Sequence, residues 1–210
     1  MRTLLLFRGA PGCGKSTYIK EHNLEQYVLS ADTLRLMCQS AQETPAGQME
    51  ISPQNDDIVW EMLFKLLEVR MSHGEFTVID ATNSKTVEMN RYKNLAKQYR
   101  YRMYVINMTD LPIEECKRRN AQREWLKRVP EAAIDKMYAR FATQKVPSGV
   151  TVLPSTTDVM SDLNYSPNDF NQWKKIHIIG DIHGCYTCLS EYLGKTKDDE
   201  LYIFVGDYLD

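Results

Sequence analysis

The sequence predicts an α/β fold in which a parallel sheet carries helices on both faces, and three observations support that expectation. An apolar run, Thr3-Leu-Leu-Leu-Phe-Arg8, leads directly into Gly9-Ala-Pro-Gly12-Cys13-Gly14-Lys15-Ser16-Thr17, a complete G-x-x-x-x-G-K-[ST] phosphate loop set between a strand and a helix. Strand-like runs then alternate with helical patterns, as they do where crossover helices join parallel strands. An arginine-rich segment broken at Val129-Pro130 follows, and a helix that stops and restarts there suits a hinged basic lid. Together these describe a P-loop NTPase-type sheet with an arginine-rich lid.

Period and punctuation place strands at residues 3–7, 27–30, 76–80 and 101–108, with a further one at 150–153. A short helix is expected over 15–21. A longer one over 56–73 carries Ile58, Val59, Met62, Leu63, Leu66 and Leu67 on one side and stops at Gly74. Shorter helices are expected at 87–99 and 112–122. Residues 39–54, rich in Gln, Ser, Thr and Pro, read as a mobile connection near the carboxyl edge of the sheet, where ligands bind in such folds. From 146 to 171 the composition turns to Pro, Ser, Thr, Asn and Asp, an interdomain linker with one strand in it. The division expected is 1–153 for a catalytic domain, 154–172 for a linker and 173–210 for part of a second domain.

At 210 residues and 43% apolar content, the chain holds one α/β core and a remainder. A formal charge of −2 provides no global field for nucleic acid, so polyanion contacts must come from local clusters such as Lys117, Arg118, Arg119, Arg123, Lys127 and Arg128. No apolar run is long enough to span a bilayer or form a signal-peptide core, which makes the reducing cytoplasm the default. Five scattered cysteines do not form a disulfide framework, and Cys185-Tyr-Thr-Cys188 is a lone pair.

The chemistry begins at the loop. Its glycines, with Cys13, Ser16 and Thr17, let backbone N–H groups converge on the phosphates of ATP; Lys15 reaches the β/γ-phosphates and the Ser16 hydroxyl suits Mg²⁺. After the second strand, Asp32 and Arg35 lie three apart at a helix start, so a carboxylate able to take a hydroxyl proton sits beside a guanidinium able to hold a phosphate. The plainer alternative is an Asp32 that caps the helix and an Arg35 in solvent. Asp80 ends the third strand where Mg²⁺ or its waters could be held, with capping again the alternative. In the lid, Arg119 and Arg123 are four apart and are expected on one helical face over the γ-phosphate, whereas Arg118, Lys127 and Arg128 read as solvated. Trp60 and Trp125 could stack on bases, though packing suits Trp60 better.

These motifs, together with Asp80-x-Thr-Asn83, Arg119-Asn120-x-x-Arg123, Val129-Pro130 and Met137-Tyr138, resemble the 5′-hydroxyl polynucleotide kinases of phage and bacterial kinase-phosphatase repair enzymes over residues 4–141. The resemblance implies transfer of the ATP γ-phosphate to a polynucleotide 5′-hydroxyl. It casts Asp32 as general base, Arg35 as a clamp on the acceptor phosphate, Lys15 and Arg123 as γ-phosphate stabilisers, and Asp80 as a second active-site carboxylate. Beyond the linker, Gly180-Asp181-Ile-His183-Gly184 and Gly206-Asp207-Tyr-Leu-Asp210 resemble the first two metallophosphoesterase motifs, in which Asp181, His183 and Asp207 would be metal ligands. The sequence ends before the later motifs, so the expectation is an incomplete phosphoesterase fragment without a finished two-metal site. Kinase before phosphoesterase is the order of the RNA-repair enzymes, which favours RNA over DNA as the partner. The rival readings are a small-molecule kinase acting on a metabolite or antibiotic, a non-catalytic ATP-binding module, and a protein whose phosphoesterase is the main activity.

Overall fold

The computed structural model describes residues 2–44, 47, 49–163 and 170–206. Its chain divides into two compact units, Met1–Asn164 and Tyr165–Asp210. In the first, five parallel strands lie in the order β2-β5-β1-β6-β7. These are β1 (Thr3–Arg8), β2 (Val28–Ser30), β5 (Thr77–Asp80), β6 (Arg102–Asn107) and β7 (Thr151–Pro154). The five expected strands are all present, each within one or two residues of its expected ends.

β1 is the centre of the sheet and Leu4, Leu5, Leu6 and Phe7 are wholly buried. Because strand side chains alternate, Leu4 and Leu6 join one core layer and Leu5 and Phe7 the other. Helices α1 (Lys15–Glu21), α2 (Ala31–Cys38), α3 (Asp56–Ser72), α4 (Thr86–Gln98), α5 (Ile113–Ala121) and α6 (Glu131–Thr143) connect the strands. α3 corrects the expected apolar face: Val59, Leu63, Leu67 and Met71 are buried, but Ile58, Met62 and Leu66 are exposed. Apolar residues cover well over half of the helix circumference, leaving one charged strip of Asp57, Glu61, Lys65 and Glu68, so periodicity alone does not select the face that meets the sheet.

The connection at 39–54 contains a small antiparallel pair, β3 (Gln42–Glu43) with β4 (Met49–Glu50). β4 packs against the 3-10 turn Trp125–Lys127 of the lid. Within the stretch read as linker, β7 extends the sheet and Val159 of α7 (Val159–Leu163) is buried in the core. The Tyr18 hydroxyl donates to the Thr157 carbonyl at 2.5 Å, holding this segment to the first unit.

The second unit pairs β8 (Lys175–Ile179) with β9 (Glu200–Phe204) in parallel across α8 (Tyr186–Leu193), the strand-helix-strand arrangement expected from its motifs. Ile176 and Ile178 are exposed. All five cysteines are free. Among the described residues, no helix is long and apolar enough to cross a membrane.

Two buried polar side chains fasten the sheet at its carboxyl edge. Asn83 Nδ2 donates to the Phe7 carbonyl at 2.6 Å, from a backbone φ of 44° that asparagine tolerates better than most residues. Arg8, 6% exposed, donates from Nη2 to the carbonyls of Phe141 and Gln144, placing a cation at the C-terminal end of α6. Asn83→Ala leaves the Phe7 carbonyl unsatisfied and should cost about 1–3 kcal/mol, read as a lower urea midpoint; an unchanged midpoint would show that the bond does not hold the edge together.

Candidate active site

The register of the sheet builds the site. Ser30 on β2 lies opposite Asp80 on β5, and Ile79 lies opposite Leu6 on β1, so three neighbouring strands end almost level. β1 runs on into the phosphate loop, β2 into α2 with Asp32, and β5 ends on Asp80 itself. The Gly9 N–H donates to the Thr82 carbonyl at 3.2 Å, tying the loop to the end of β5.

The phosphate loop is tightly constrained. Gly12 has a φ of 85°, and a Cβ there would collide with the Cys116 carbonyl oxygen and lie 3.2 Å from the Asn120 nitrogen. Only glycine meets both demands, and its close approach lets the loop rest against α5. Lys15 Nζ donates at 2.9 Å to the carbonyls of both Gly9 and Ala10. Ser16 and Thr17 are exposed in the first turn of α1. A ring of backbone amides ending in an ammonium and a hydroxyl fits a nucleotide polyphosphate with its Mg²⁺.

Capping accounts for neither acidic residue. Ser30 is the cap of α2, its Oγ accepting from the Thr33 N–H at 3.4 Å, and α4 begins after Lys85, five residues beyond Asp80. Asp32 instead accepts from Arg35 Nη1 at 2.7 Å while remaining 63% exposed. Arg35 also donates from Nε to Asp56 Oδ1 at 2.7 Å, so one guanidinium is held by two carboxylates. Burial alone would lower the pKa of Arg35, but the bonds and charges of Asp56 and Asp32 outweigh it and raise the value, which keeps the group a cation. Asp56 went unremarked in the sequence because it stands 21 residues from its partner.

Asp80 brings the predicted residues into one field. Burial raises its carboxyl above the usual range; Lys15 and Arg123 pull it down and Asp32 pushes it up. Three candidate residues from three separate segments therefore act on a fourth, Asp80.

The lid differs from its expected geometry. α5 ends at Ala121, so Arg123 lies beyond the helix and does not share a helical face with Arg119. The cause is Asn120, 4% exposed, whose side chain makes two hydrogen bonds to the backbone of Val129, from Nδ2 to the carbonyl at 2.8 Å and from the Val129 N–H to Oδ1 at 3.1 Å. This closes the segment between them into a loop that carries Arg123, whose charge reaches Asp80. Arg119 stays on the helix, where its Nε donates to Glu115 at 2.6 Å. Glu115 also takes two bonds from Arg118, and the two arginines pull its carboxyl down to about 2. Lys127 pairs with Glu124, and Arg128 lies 4.3 Å over the Trp125 ring.

In the second unit, Asp181 and His183 lie 3.7 Å apart, and Asp207 falls outside the described residues. A side chain at Gly206 would strike the backbone and carboxylate of Asp181, so the ends of β8 and β9 meet closely. Among the described residues no group of three or more metal-ligating side chains forms. His177 is engaged structurally, with Glu200 at 2.7 Å and stacked on Tyr202.

Asp80 has a measurable consequence for stability. Its folded-state pKa lies above the unfolded value, so the folded state holds the extra proton in the interval between them, and this group's contribution falls as pH rises through that interval. Asp80→Asn should therefore raise the denaturation midpoint of the ligand-free protein at pH 7 and flatten its pH dependence across that interval. A lower midpoint would show that the ionised carboxylate is stabilising instead.

Comparison with known proteins agrees with this fold. A family model described as an AAA domain matches residues 4–144. Among solved structures, a candidate kinase from Chloroflexus aurantiacus j-10-fl aligns at 16% identity and a TM-score of 0.52, covering 72% of this chain and 86% of its own. A chain of the AvrRxo1-ORF1:-ORF2 complex aligns at 17% identity and 0.52, covering 67% of this chain and 47% of its own. A chain of a Pnkp1/Rnl/Hen1 complex aligns at 18% identity and 0.49, covering 97% and 69%. No curated protein gives a significant match. The first unit has a P-loop kinase-like fold, and the chain belongs to the AAA-domain family whose model spans residues 4–144.

Proposed function

We propose that the first unit is an ATP-dependent polynucleotide 5′-hydroxyl kinase with RNA as its favoured acceptor. The observation that carries this reading is the Asp32–Arg35 pair, set at the sheet edge in the same field as Lys15, Asp80 and Arg123. In the proposed reaction, the acceptor oxygen attacks the γ-phosphorus while its proton passes to the exposed Asp32 carboxylate. The bond from the γ-phosphorus to the β–γ bridging oxygen breaks and ADP leaves. Lys15 and Arg123 would balance charge on the transferring group, and Arg35 would release a carboxylate to take the acceptor's phosphate. Ser16, with Asp80 directly or through water, would hold Mg²⁺, which would supply positive charge against the donor phosphates. Arg119 would be recruited only by exchanging Glu115 for phosphate. The choice of RNA rests on the order of the two sets of motifs in the sequence. On the same reading, the motifs within residues 173–210 are of the metallophosphoesterase type, in which Asp181, His183 and Asp207 would be metal ligands.

A small-molecule kinase uses the same donor machinery, so the acceptor decides between the two. Labelled γ-phosphate from ATP should pass to an RNA oligonucleotide with a 5′-hydroxyl faster than to the matched DNA. Asp32→Asn should reduce transfer by about 10²-fold or more, as loss of a general base does. Intact ATP binding with no transfer to either oligonucleotide would remove the proposal in favour of a small acceptor.

A further inference from the structure

Between α3 and the start of α4 lies a cavity of about 370 Å³, within the size range of small-ligand pockets. It adjoins the proposed acceptor position, because its wall includes Asp56, the residue bonded to Arg35, which in turn is bonded to Asp32. Two helical periodicities build it. Asp56, Trp60 and Phe64 recur every four residues on α3, and Glu88, Arg91 and Tyr92 face them from α4.

We propose that this cavity receives the 5′-terminal nucleobase of the acceptor, stacked on Trp60 and the Arg91 guanidinium and hydrogen-bonded by the carboxylates at its rim. The inference rests on the kinase reading above and names what that site recognises. Trp60 and Phe64 are only partly buried, so both present ring surface. Arg91 lies 4.1 Å over the Phe64 ring and Phe64 stacks on Tyr92 at 4.7 Å, a layered platform that a further planar ring beside Trp60 extends over the Arg91 guanidinium. The lining charges argue against a phosphate occupant. Four carboxylates, Asp56, Asp57, Glu61 and Glu88, line it with two cations, Lys85 and Arg91, a net charge of −2. Lys85 is moreover paired with Glu88 at 3.1 Å. A neutral ring carrying N–H donors matches such a rim, as a base edge does when it donates to an acidic side chain. The Tyr92 hydroxyl has no hydrogen-bond partner among the described residues although the residue is 1% exposed, which leaves a buried donor in the wall of the cavity.

The test is calorimetric titration of the full chain, saturated with ADP to fill the phosphate loop, with guanosine and separately with ribose. Guanosine should bind and ribose should not, and Trp60→Ala should weaken guanosine at least about tenfold, the loss expected for one stacked base. Arg91→Ala, at the surface, should weaken it several-fold and guards against misfolding of the tryptophan variant. Absence of guanosine binding, or ribose binding equally well, would overturn the proposal. Oligonucleotides with and without a 5′-terminal base separate the two claims. Transfer indifferent to the base would remove the pocket and leave the kinase. Guanosine binding without oligonucleotide transfer would remove the polynucleotide reading and leave the pocket.

Discussion

The parallel pairing of β1 with β5 is the contact on which the site depends. It sets the buried end of β1 level with Asp80, and the Asn83–Phe7 and Gly9–Thr82 bonds lock that edge where the phosphate loop begins. Slippage by one residue would reverse every side chain of β1 between two fully packed layers, so the apolar burial of Leu4 to Phe7 fixes the register. Placement of a polar site is in this sense a by-product of packing. The strands are buried because helices cover both faces, and their carboxyl ends are where the chain can become polar again.

Charge at that edge is arranged in closed sets. Arg35 is shared by two carboxylates, Glu115 by two arginines, and Asp80 sits among two cations and a further carboxylate. The half-buried Arg35 needs such partners, since an unmatched buried charge would cost several kcal/mol, on the order of 3–5. Two of the sets contain an anion that a phosphate could replace, Asp56 on Arg35 and Glu115 on Arg119. Binding of substrate would then exchange one anion for another without creating cations or stranding them.

Most of the fold could be read from the sequence because its signals are local. The phosphate loop, the apolar runs of β1 and β6, and the breaks at Gly74 and Pro130 each act within a few residues. What escaped was of two kinds. Contacts between distant segments leave no spacing to read, as with Asp56 on Arg35 or Arg8 on the end of α6. Elsewhere a tertiary bond overrode a local period, as Asn120 did in ending α5 and turning Arg123 away from Arg119. α3 is a third case, where apolar residues on two faces left the choice to the sheet. For the candidate residues, the sequence located strand ends and types of side chain, but strand register set Asp80 beside the segments of Asp32 and Lys15, and the Asn120–Val129 bonds shaped the loop of Arg123.

That shared field can be measured at one atom group. The account predicts that the pKa of the Asp80 carboxyl, followed by NMR in the ligand-free protein, rises further in Lys15→Met and falls in Asp32→Asn. An Asp80 carboxyl that titrates identically in wild type and both variants would contradict the convergence of these residues, and with it the site.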